Sequence, residues 1–151
     1  MTPKLLAPAA IALVALISGP AIAANRVCVK VTEANLRQGP GTHYEKSWTV
    51  FAYMPFRKIG QRGNWYHVQD VDGDRHWIFR KLVSSKLRCT VVKVKKANVR
   101  SGPGTNFPMA DLGSLDKYYS FRVIGESGRW LKVEDDLGNS GWIAKSLLWT
   151  P

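Results

Sequence analysis

One segment occurs twice in this chain and constrains its fold more than any other feature. Residues 34–42 read Ala-Asn-Leu-Arg-Gln-Gly-Pro-Gly-Thr, and residues 97–105, 63 positions later, read Ala-Asn-Val-Arg-Ser-Gly-Pro-Gly-Thr. An apolar, strand-favouring stretch precedes each copy, at 27–31 and 91–94. The repeat indicates a duplication in which each strand runs into a shaped loop, where proline fixes φ and the outer glycines can take positive φ.

The similarity continues beyond the loops at a slightly different spacing. Ile59-Gly60 and Ile124-Gly125 align at an offset of 65, and this offset holds to the end of the second copy. The second copy therefore has two extra residues between its Gly-Pro-Gly segment and its Ile-Gly pair. Insertions usually fall in loops, which predicts a variable loop at 45–55 in the first copy and at 108–116 in the second.

The remaining pattern is that of short strands. Runs of β-favouring residues separated by Gly, Asp and Asn predict strands near 27–31, 55–60, 64–70, 75–79, 90–95, 120–125, 129–135 and 140–144. No stretch shows sustained helical periodicity. Five or so short strands in each copy predict an all-β chain, with one small antiparallel barrel or sandwich per copy.

The ordered motifs of each copy resemble the bacterial SH3-like domain, a small β-barrel of secreted and cell-wall proteins. The repeated segment is followed by Gly-Asn-Trp-Tyr-His-Val at 63–68 and Trp77-Ile78 in the first copy, and by Gly-Arg-Trp-Leu-Lys-Val at 128–133 and Gly-Trp-Ile at 141–143 in the second. The resemblance implies two SH3-like barrels in tandem, at 25–85 and 86–151. The linker between them, at about 84–88, is short, so we expect the barrels to pack against each other. It also implies that the chain binds a cell-wall polymer, because such domains commonly target peptidoglycan.

The first residues have the pattern of a secretory leader. A basic start at Lys4 is followed by an apolar run over 5–17 and a small-x-small site at 21–23, which predicts a cleaved signal peptide over 1–24. The run is shorter than the ~20 residues that a membrane-spanning helix needs. We therefore expect an exported protein, periplasmic or secreted, with no membrane span and no lipid anchor.

The charge balance narrows the class of partner. The chain has 22 Lys plus Arg against 11 Asp plus Glu, a net charge of +11. Such a basic surface attracts polyanions, and in an exported protein these are cell-wall polymers, anionic lipid head groups or acidic proteins, with nucleic acid excluded by compartment. The alternative is that the charge serves solubility alone.

The two cysteines lie before the two copies of the repeated segment. Cys28 precedes Ala34 by six residues and Cys89 precedes Ala97 by eight, so in regular strands both thiols point to equivalent faces. Two cysteines in an exported protein usually pair, which predicts a Cys28–Cys89 disulfide between the barrels. A free thiol pair or a bond to a partner chain are the alternatives.

Candidate ligand-binding residues recur at equivalent positions: Arg37, Tyr44, Trp65, Arg100, Phe107 and Trp130. Strand alternation places Trp65 and Trp130 opposite the apolar core face, either partly exposed for a peptide or glycan or closing the end of the barrel. The arginine fork can hold a carboxylate or the carbonyls of its own loop. His76 replaces Gly141 of the second copy, so we expect it to fill or reshape the first groove.

Catalytic and metal-binding patterns are absent from the sequence. Residues 70–74 read Asp-Val-Asp-Gly-Asp, but Arg75 and Lys81 stand where a calcium loop has glycine and glutamate, so we expect a solvated hairpin. The three histidines have no ligand-like spacing. The sequence therefore predicts a monomeric, non-catalytic binding module without metal or cofactor.

Two other functions remain open from the sequence. The barrels could recruit an envelope protein as a protein–protein interaction adaptor in the periplasm, with the basic charge incidental. Alternatively, the chain could be a small secreted effector that acts on a host or on an anionic membrane.

Overall fold

The computed structural model describes residues 25–151, which contain strands and two short 3-10 turns but no α-helix. The strands of the first half are β1 (Arg26–Val29), β2 (Glu33–Arg37), β3 (Lys46–Phe51), β4 (Pro55–Arg62), β5 (Trp65–Gln69), β6 (Arg75–Phe79) and β7 (Val83–Ser84). Those of the second half are β8 (Cys89–Val92), β9 (Lys96–Arg100), β10 (Met109–Asp116), β11 (Ser120–Ser127), β12 (Trp130–Glu134), β13 (Ser140–Ala144) and β14 (Leu148–Trp149). The 3-10 turns span Arg80–Leu82 and Lys145–Leu147.

The two halves form two seven-stranded antiparallel sheets with the same topology. The first, barrel 1, has the order β3-β2-β6-β5-β4-β1-β7, and the second, barrel 2, has the order β10-β9-β13-β12-β11-β8-β14. Each strand of barrel 2 thus has its counterpart in barrel 1. The prediction of an all-β chain with two small tandem barrels is confirmed, whereas the predicted signal peptide at 1–24 lies outside the described residues.

The repeated segment forms a strand of its own, β2, which is not among the predicted strands. The predicted strand at 27–31 ends at Val29, and β2 begins after a bend at Glu33. Within β2, Ala34 and Leu36 are buried and the residues between them are less so, the alternation of a strand with one core face. The unit preceding each Gly-Pro-Gly loop is therefore a strand, a bend and a second strand.

The predicted variable loop is wrong, because 46–51 and 109–116 are strands and the insertion lies in a β-bulge. In barrel 1, residues 35–37 of β2 pair with residues 46–49 of β3, so β3 has one extra residue. In barrel 2, residues 98–100 of β9 pair with residues 109–114 of β10, so β10 has three extra residues. The difference of two equals the insertion seen in the sequence. Gly113 in this bulge has φ 66°, a conformation that glycine adopts without steric cost.

Each barrel has a hydrophobic core, and the first core includes residues of the second barrel. The largest side chains that are fully buried are Phe56 in barrel 1 and the equivalent Phe121 in barrel 2. Val91 of β8 belongs to the core of barrel 1, and Trp149 of β14 packs against it. The barrels therefore share apolar contacts, as expected for units near the lower size limit for independent folding.

Covalent and polar contacts reinforce this packing. Cys28 on β1 and Cys89 on β8 form a disulfide with their Cα atoms 6.1 Å apart, which confirms the predicted pairing. The carboxylate of Asp72 in barrel 1 accepts hydrogen bonds from Lys117 Nζ at 2.7 Å and Tyr118 Oη at 2.5 Å. Ser120 Oγ donates to the carbonyl oxygen of Ala52 at 2.8 Å.

A search of residues 25–151 for membrane spans finds no helix with the length and apolarity that crossing a bilayer requires.

Candidate functional site

A groove of about 490 Å³ opens on barrel 1 and contains two of the predicted site residues, Arg37 and Trp65. Strand β2 supplies one wall, the loop after Gly-Pro supplies another, and the ends of β5 and β6 supply the aromatic residues. The lining residues are Glu33, Ala34, Asn35, Arg37, Gly41, Thr42, His43, Trp65, Phe79 and Leu82. The groove combines an indole, a phenyl ring, a guanidinium and an imidazole, and a lining of aromatic groups with a few polar ones is typical of ligand-binding sites.

The aromatic part of the groove comes from the register of β5 and β6. Trp65 pairs with Phe79 across the two strands, and their ring centroids lie 5.6 Å apart. Both side chains are half-buried, so each ring keeps some surface toward the groove. Phe79 is not among the predicted site residues, although it stands two residues after Trp77 and so shares a strand face with it.

Arg37 performs the loop role and also lines the groove. Its Nη1 donates to the carbonyl oxygen of Tyr44 at 2.8 Å, and in barrel 2 Arg100 Nη1 donates to the carbonyl oxygen of Phe107 at 3.0 Å. Each bond fixes the loop and holds the guanidinium in one place. Because a guanidinium has five N–H donors, the loop bond leaves donors for a ligand.

Tyr44 and Phe107 pack against the glycines of their own loops. A Cβ placed on Gly39 would overlap the Tyr44 ring, and one placed on Gly102 would overlap the Phe107 ring. The predicted positive φ of these outer glycines is wrong: the loop needs glycine because a ring covers its backbone. Tyr44 does not line the groove, although 39% of its surface is exposed.

His76 does not fill the groove, contrary to expectation. Its ring is buried behind β3, where Nε2 lies 2.9 Å from Asp70 Oδ2 and Nδ1 lies 2.7 Å from Ser47 Oγ. In barrel 2 the equivalent carboxylate, Asp135, accepts instead from Asn139 Nδ2 at 3.0 Å. His76 thus satisfies a buried carboxylate, and the groove of barrel 1 stays open.

The equivalent face of barrel 2 is less aromatic. Trp130 is half-buried and pairs across the strands with Ala144, and Lys132 pairs with Trp142. In barrel 1 the matching positions hold Phe79 and a His67 ring stacked on Trp77 at 4.4 Å. The lysine and alanine of barrel 2 therefore give it a smaller apolar surface and a more cationic one.

The Asp-rich segment at 70–74 forms a hairpin turn between β5 and β6, as expected from the sequence, with residues 72–74 exposed and Asp70 buried. Asp70 is buried, and its Oδ1 accepts from the backbone N–H groups of Asp72 and Asp74, both at 2.9 Å. The hydrogen bonds from Lys117 and Tyr118 hold the pKa of Asp72 below its usual range. The carboxylates of Asp70, Asp72 and Asp74 have oxygens within 4.8 Å of one another. Protein N–H and O–H groups already donate hydrogen bonds to two of them, Asp70 and Asp72.

A second cavity on barrel 1, of about 370 Å³, is lined by three lysines, Lys30, Lys58 and Lys86. The ammonium of Lys58 lies 3.9 Å from the centroid of the Tyr66 ring, which also lines this cavity. A cavity with three cationic side chains suits an anionic group.

Solved structures with low similarity include NlpC2 from Trichomonas vaginalis, an NlpC/P60 family protein from Bacillus cereus ATCC 10987 and the CBD of endolysin LysPBC5. Their identities are 13%, 11% and 14%, with TM-scores of 0.36, 0.38 and 0.34. Each covers 83% of this chain, and the chain covers 48%, 56% and 93% of theirs, respectively. It thus spans about half the length of the two NlpC-type structures.

The comparison with protein families gives two matches in sequence order. Both family models are described as bacterial SH3 domain, one matching residues 30–85 and the other residues 95–148. A comparison with curated proteins finds no match. Together the two family matches cover most of the chain and coincide with the two sheets, so this protein belongs to the bacterial SH3 domain family.

Proposed function

We propose that this protein is an exported, non-catalytic binding module that binds peptidoglycan or another anionic polymer of the cell envelope through its SH3 grooves. In this proposal residues 1–24 are a cleaved leader, 25–85 and 86–151 are the two domains, and the chain acts as a monomer without metal or cofactor. Bacterial SH3 domains are typically binding modules, which supports the general class.

The observation that carries the proposal is the groove of barrel 1. Trp65 and Phe79 provide aromatic faces on which a sugar ring or methyl group packs. Arg37, fixed by its bond to the Tyr44 carbonyl, provides free N–H donors in a geometry that matches a carboxylate. Peptidoglycan presents both kinds of group close together, sugars from its glycan and carboxylates from its stem peptides.

The charge distribution supports an anionic ligand. The net charge of +11 favours encounter with a polyanion at low ionic strength, and the three-lysine cavity lies on the same barrel as the groove. Exposed charges are screened over about 8 Å at physiological ionic strength. Salt should therefore weaken the charged part of the binding, and the aromatic part should persist.

The test is a pull-down with purified, protein-free sacculi. We expect Trp65→Ala and Phe79→Ala each to lower the apparent affinity about tenfold, which corresponds to about 1.4 kcal/mol, and Arg37→Lys to weaken binding by removing the fork while keeping the charge. Ile124→Ala is the matched control, because Ile124 is 41% exposed and lies outside the groove. Trp130→Ala and Arg100→Ala report in the same way on barrel 2.

Absence of binding to protein-free sacculi would refute the polymer as ligand. Retention by sacculi that still carry their proteins, with none by the stripped sacculi, would support the adaptor function instead. Binding that Trp65→Ala, Phe79→Ala and Ile124→Ala leave equally intact would show that the groove of barrel 1 is not the site.

A further inference from the structure

A separate cleft of about 470 Å³ lies between the two barrels, away from the Trp65 groove. Barrel 1 contributes residues 48–52 of β3 and the turn after it, together with Thr32 and Met54, and barrel 2 contributes residues 116–120 and Asp136. The disulfide and the polar contacts between the barrels hold these two walls at a fixed distance.

The cleft follows the edge of a sheet. Its first wall is a run of consecutive residues, Trp48 to Ala52, and since neighbouring residues of a strand point to opposite faces, such a wall runs along a strand. Strand β3 is the last strand of its sheet and pairs only with β2 among the described strands. An edge strand offers unpaired backbone groups to which an extended peptide can add as a further strand.

Aromatic side chains with exposed surface surround this edge. Phe51 is 59% exposed, Tyr118 39% and Tyr119 36%, and all three line the cleft with Trp48. The Tyr118 ring lies edge-on to Trp48, with 5.2 Å between centroids. Tyr118 has φ 76°, and Tyr53, its equivalent in barrel 1, has φ 67°, so this left-handed conformation belongs to the turn that both barrels share.

The uncompensated charge at the cleft is negative, although the protein is strongly basic: Asp116 pairs with Lys96 at 2.6 Å, which leaves Asp136. The charged residues of its walls are Asp116, Lys117 and Asp136. The Lys117 ammonium is already held by Asp72 and lies 5.0 Å from the centroid of the Tyr118 ring. Asp136 takes part in no salt bridge of the described residues, so its carboxylate is available.

The field of this carboxylate reaches the aromatic residues. Burial raises the pKa of the Tyr119 phenol, and the nearby carboxylates of Asp135 and Asp136 raise it further. The placement of Lys117 shows the chemistry that suits the cleft, a carboxylate and an aromatic ring around one ammonium group. An added ammonium gains the same two interactions from Asp136 and the exposed rings.

We propose that the inter-barrel cleft binds an extended peptide that pairs with the edge of β3 and places the ammonium group of a lysine-type side chain between Asp136 and the aromatic rings. The aliphatic part of such a side chain packs on Phe51 and Tyr119, and the ammonium gains the carboxylate and the cation–π contact. This site does not rest on the proposed function of the Trp65 groove.

The test uses two peptides that differ in one group, acetyl-Ala-Lys-Ala-amide and acetyl-Ala-norleucine-Ala-amide, titrated into the isotopically labelled full chain by NMR. We expect the lysine peptide to shift the Trp48 indole signal and the backbone signals of β3, and to bind about fivefold more tightly than the norleucine peptide, the usual scale of an exposed cation–π or ion-pair interaction. Asp136→Asn should reduce this preference, because it removes the carboxylate and leaves the aromatic rings. Phe51→Ala should weaken the binding of both peptides.

Two comparisons keep the proposal falsifiable. Asp111→Asn is the matched control, because Asp111 is an exposed carboxylate of β10 outside the cleft, and it should leave the lysine preference unchanged. Equal affinity for the two peptides, shifts located away from β3, or no shift at all would overturn the proposal. Failure of sacculi to bind would leave this result unaffected, since the assay contains no polymer.

Discussion

Removal of the inter-barrel disulfide should destabilise the two barrels unequally. Cys28 and Cys89 are 61 residues apart, and the loop that they close contains strands β2 to β7 of barrel 1 and no strand of barrel 2 after the start of β8. The double variant Cys28→Ala/Cys89→Ala opens this loop in the unfolded state. The cost should therefore fall on barrel 1.

The magnitude follows from the length of the loop. In the chain-entropy model, closing a loop of this size stabilises the folded state by about 4 kcal/mol. For a domain of this size, each kcal/mol corresponds to a shift of the melting temperature of about 4 °C or more, so the transition of barrel 1 should fall by on the order of 15 °C. The stability of barrel 2 should change much less, through the apolar contacts of Val91 and Trp149 alone.

Hydrogen exchange measured by mass spectrometry gives the stability of each barrel separately, because peptides from 30–85 report on barrel 1 and peptides from 95–148 report on barrel 2. We expect the free energy of opening to fall strongly in the first set and weakly in the second. Wild-type protein in reducing agent is the control for the substitutions themselves, since it opens the loop and keeps both side chains. An equal loss in both sets, or a loss below about 1 kcal/mol in barrel 1, would refute the loop argument, because it predicts about 4 kcal/mol there.

Three further predictions concern stability. His76→Ala should cost about 1–3 kcal/mol, because it removes the side-chain partner of the buried Asp70 Oδ2 and leaves only the two backbone bonds to Oδ1. Urea unfolding checks this, and Asn139→Ala, which removes the exposed donor to the equivalent carboxylate Asp135, should cost less. Gly113→Ala in the β10 bulge should cost about 1–2 kcal/mol because of its positive φ, and Gly113→Asn less; equal urea midpoints for wild type and Gly113→Ala would contradict this. The pKa of Asp72 is lowered in the folded state by its bonds to Lys117 and Tyr118, so its contribution to stability is present above its unfolded pKa and is lost as the pH falls through the folded one. Asp72→Asn should therefore destabilise the protein at neutral pH and change little at a pH below the folded pKa, and a constant difference in urea midpoint across that range would show that the ion pair contributes nothing.

Much of the fold could be predicted from the sequence because the same motifs occur in the same order in both halves of the chain. The offset of 65 aligned the aromatic strands of both halves. Trp65 and Val68 stand at odd and even positions of one strand and so point to opposite faces, and Val68 is fully buried in the core. The disulfide was predictable because each cysteine precedes the same motif. The duplication made each local pattern more reliable for predicting structure, because the same order of residues is expected to form the same strands in both copies.

The missed features depend on contacts that no local pattern contains. Strand β3 has little apolar alternation because it is an edge strand with an exposed side, and the bulge in β10 depends on one glycine at positive φ. The role of His76 depends on Asp70, six residues before it across the hairpin, and on Ser47, which is 29 residues away on another strand. Phe79 alone could have been found by the parity of β6, because it shares the face of Trp77.

The shared core has a consequence for avidity. Val91 and Trp149 anchor barrel 2 in the packing of barrel 1, and Arg57 lies 6.0 Å from the centroid of the Trp149 ring. Two linked sites raise each other's effective concentration only when the link lets both reach their targets at once, and a flexible linker searches many spacings to do so. Here the shared core and the disulfide replace a flexible linker, so the distance between the two SH3 surfaces is fixed. A repeating polymer gains from both barrels only where its own repeat matches that distance.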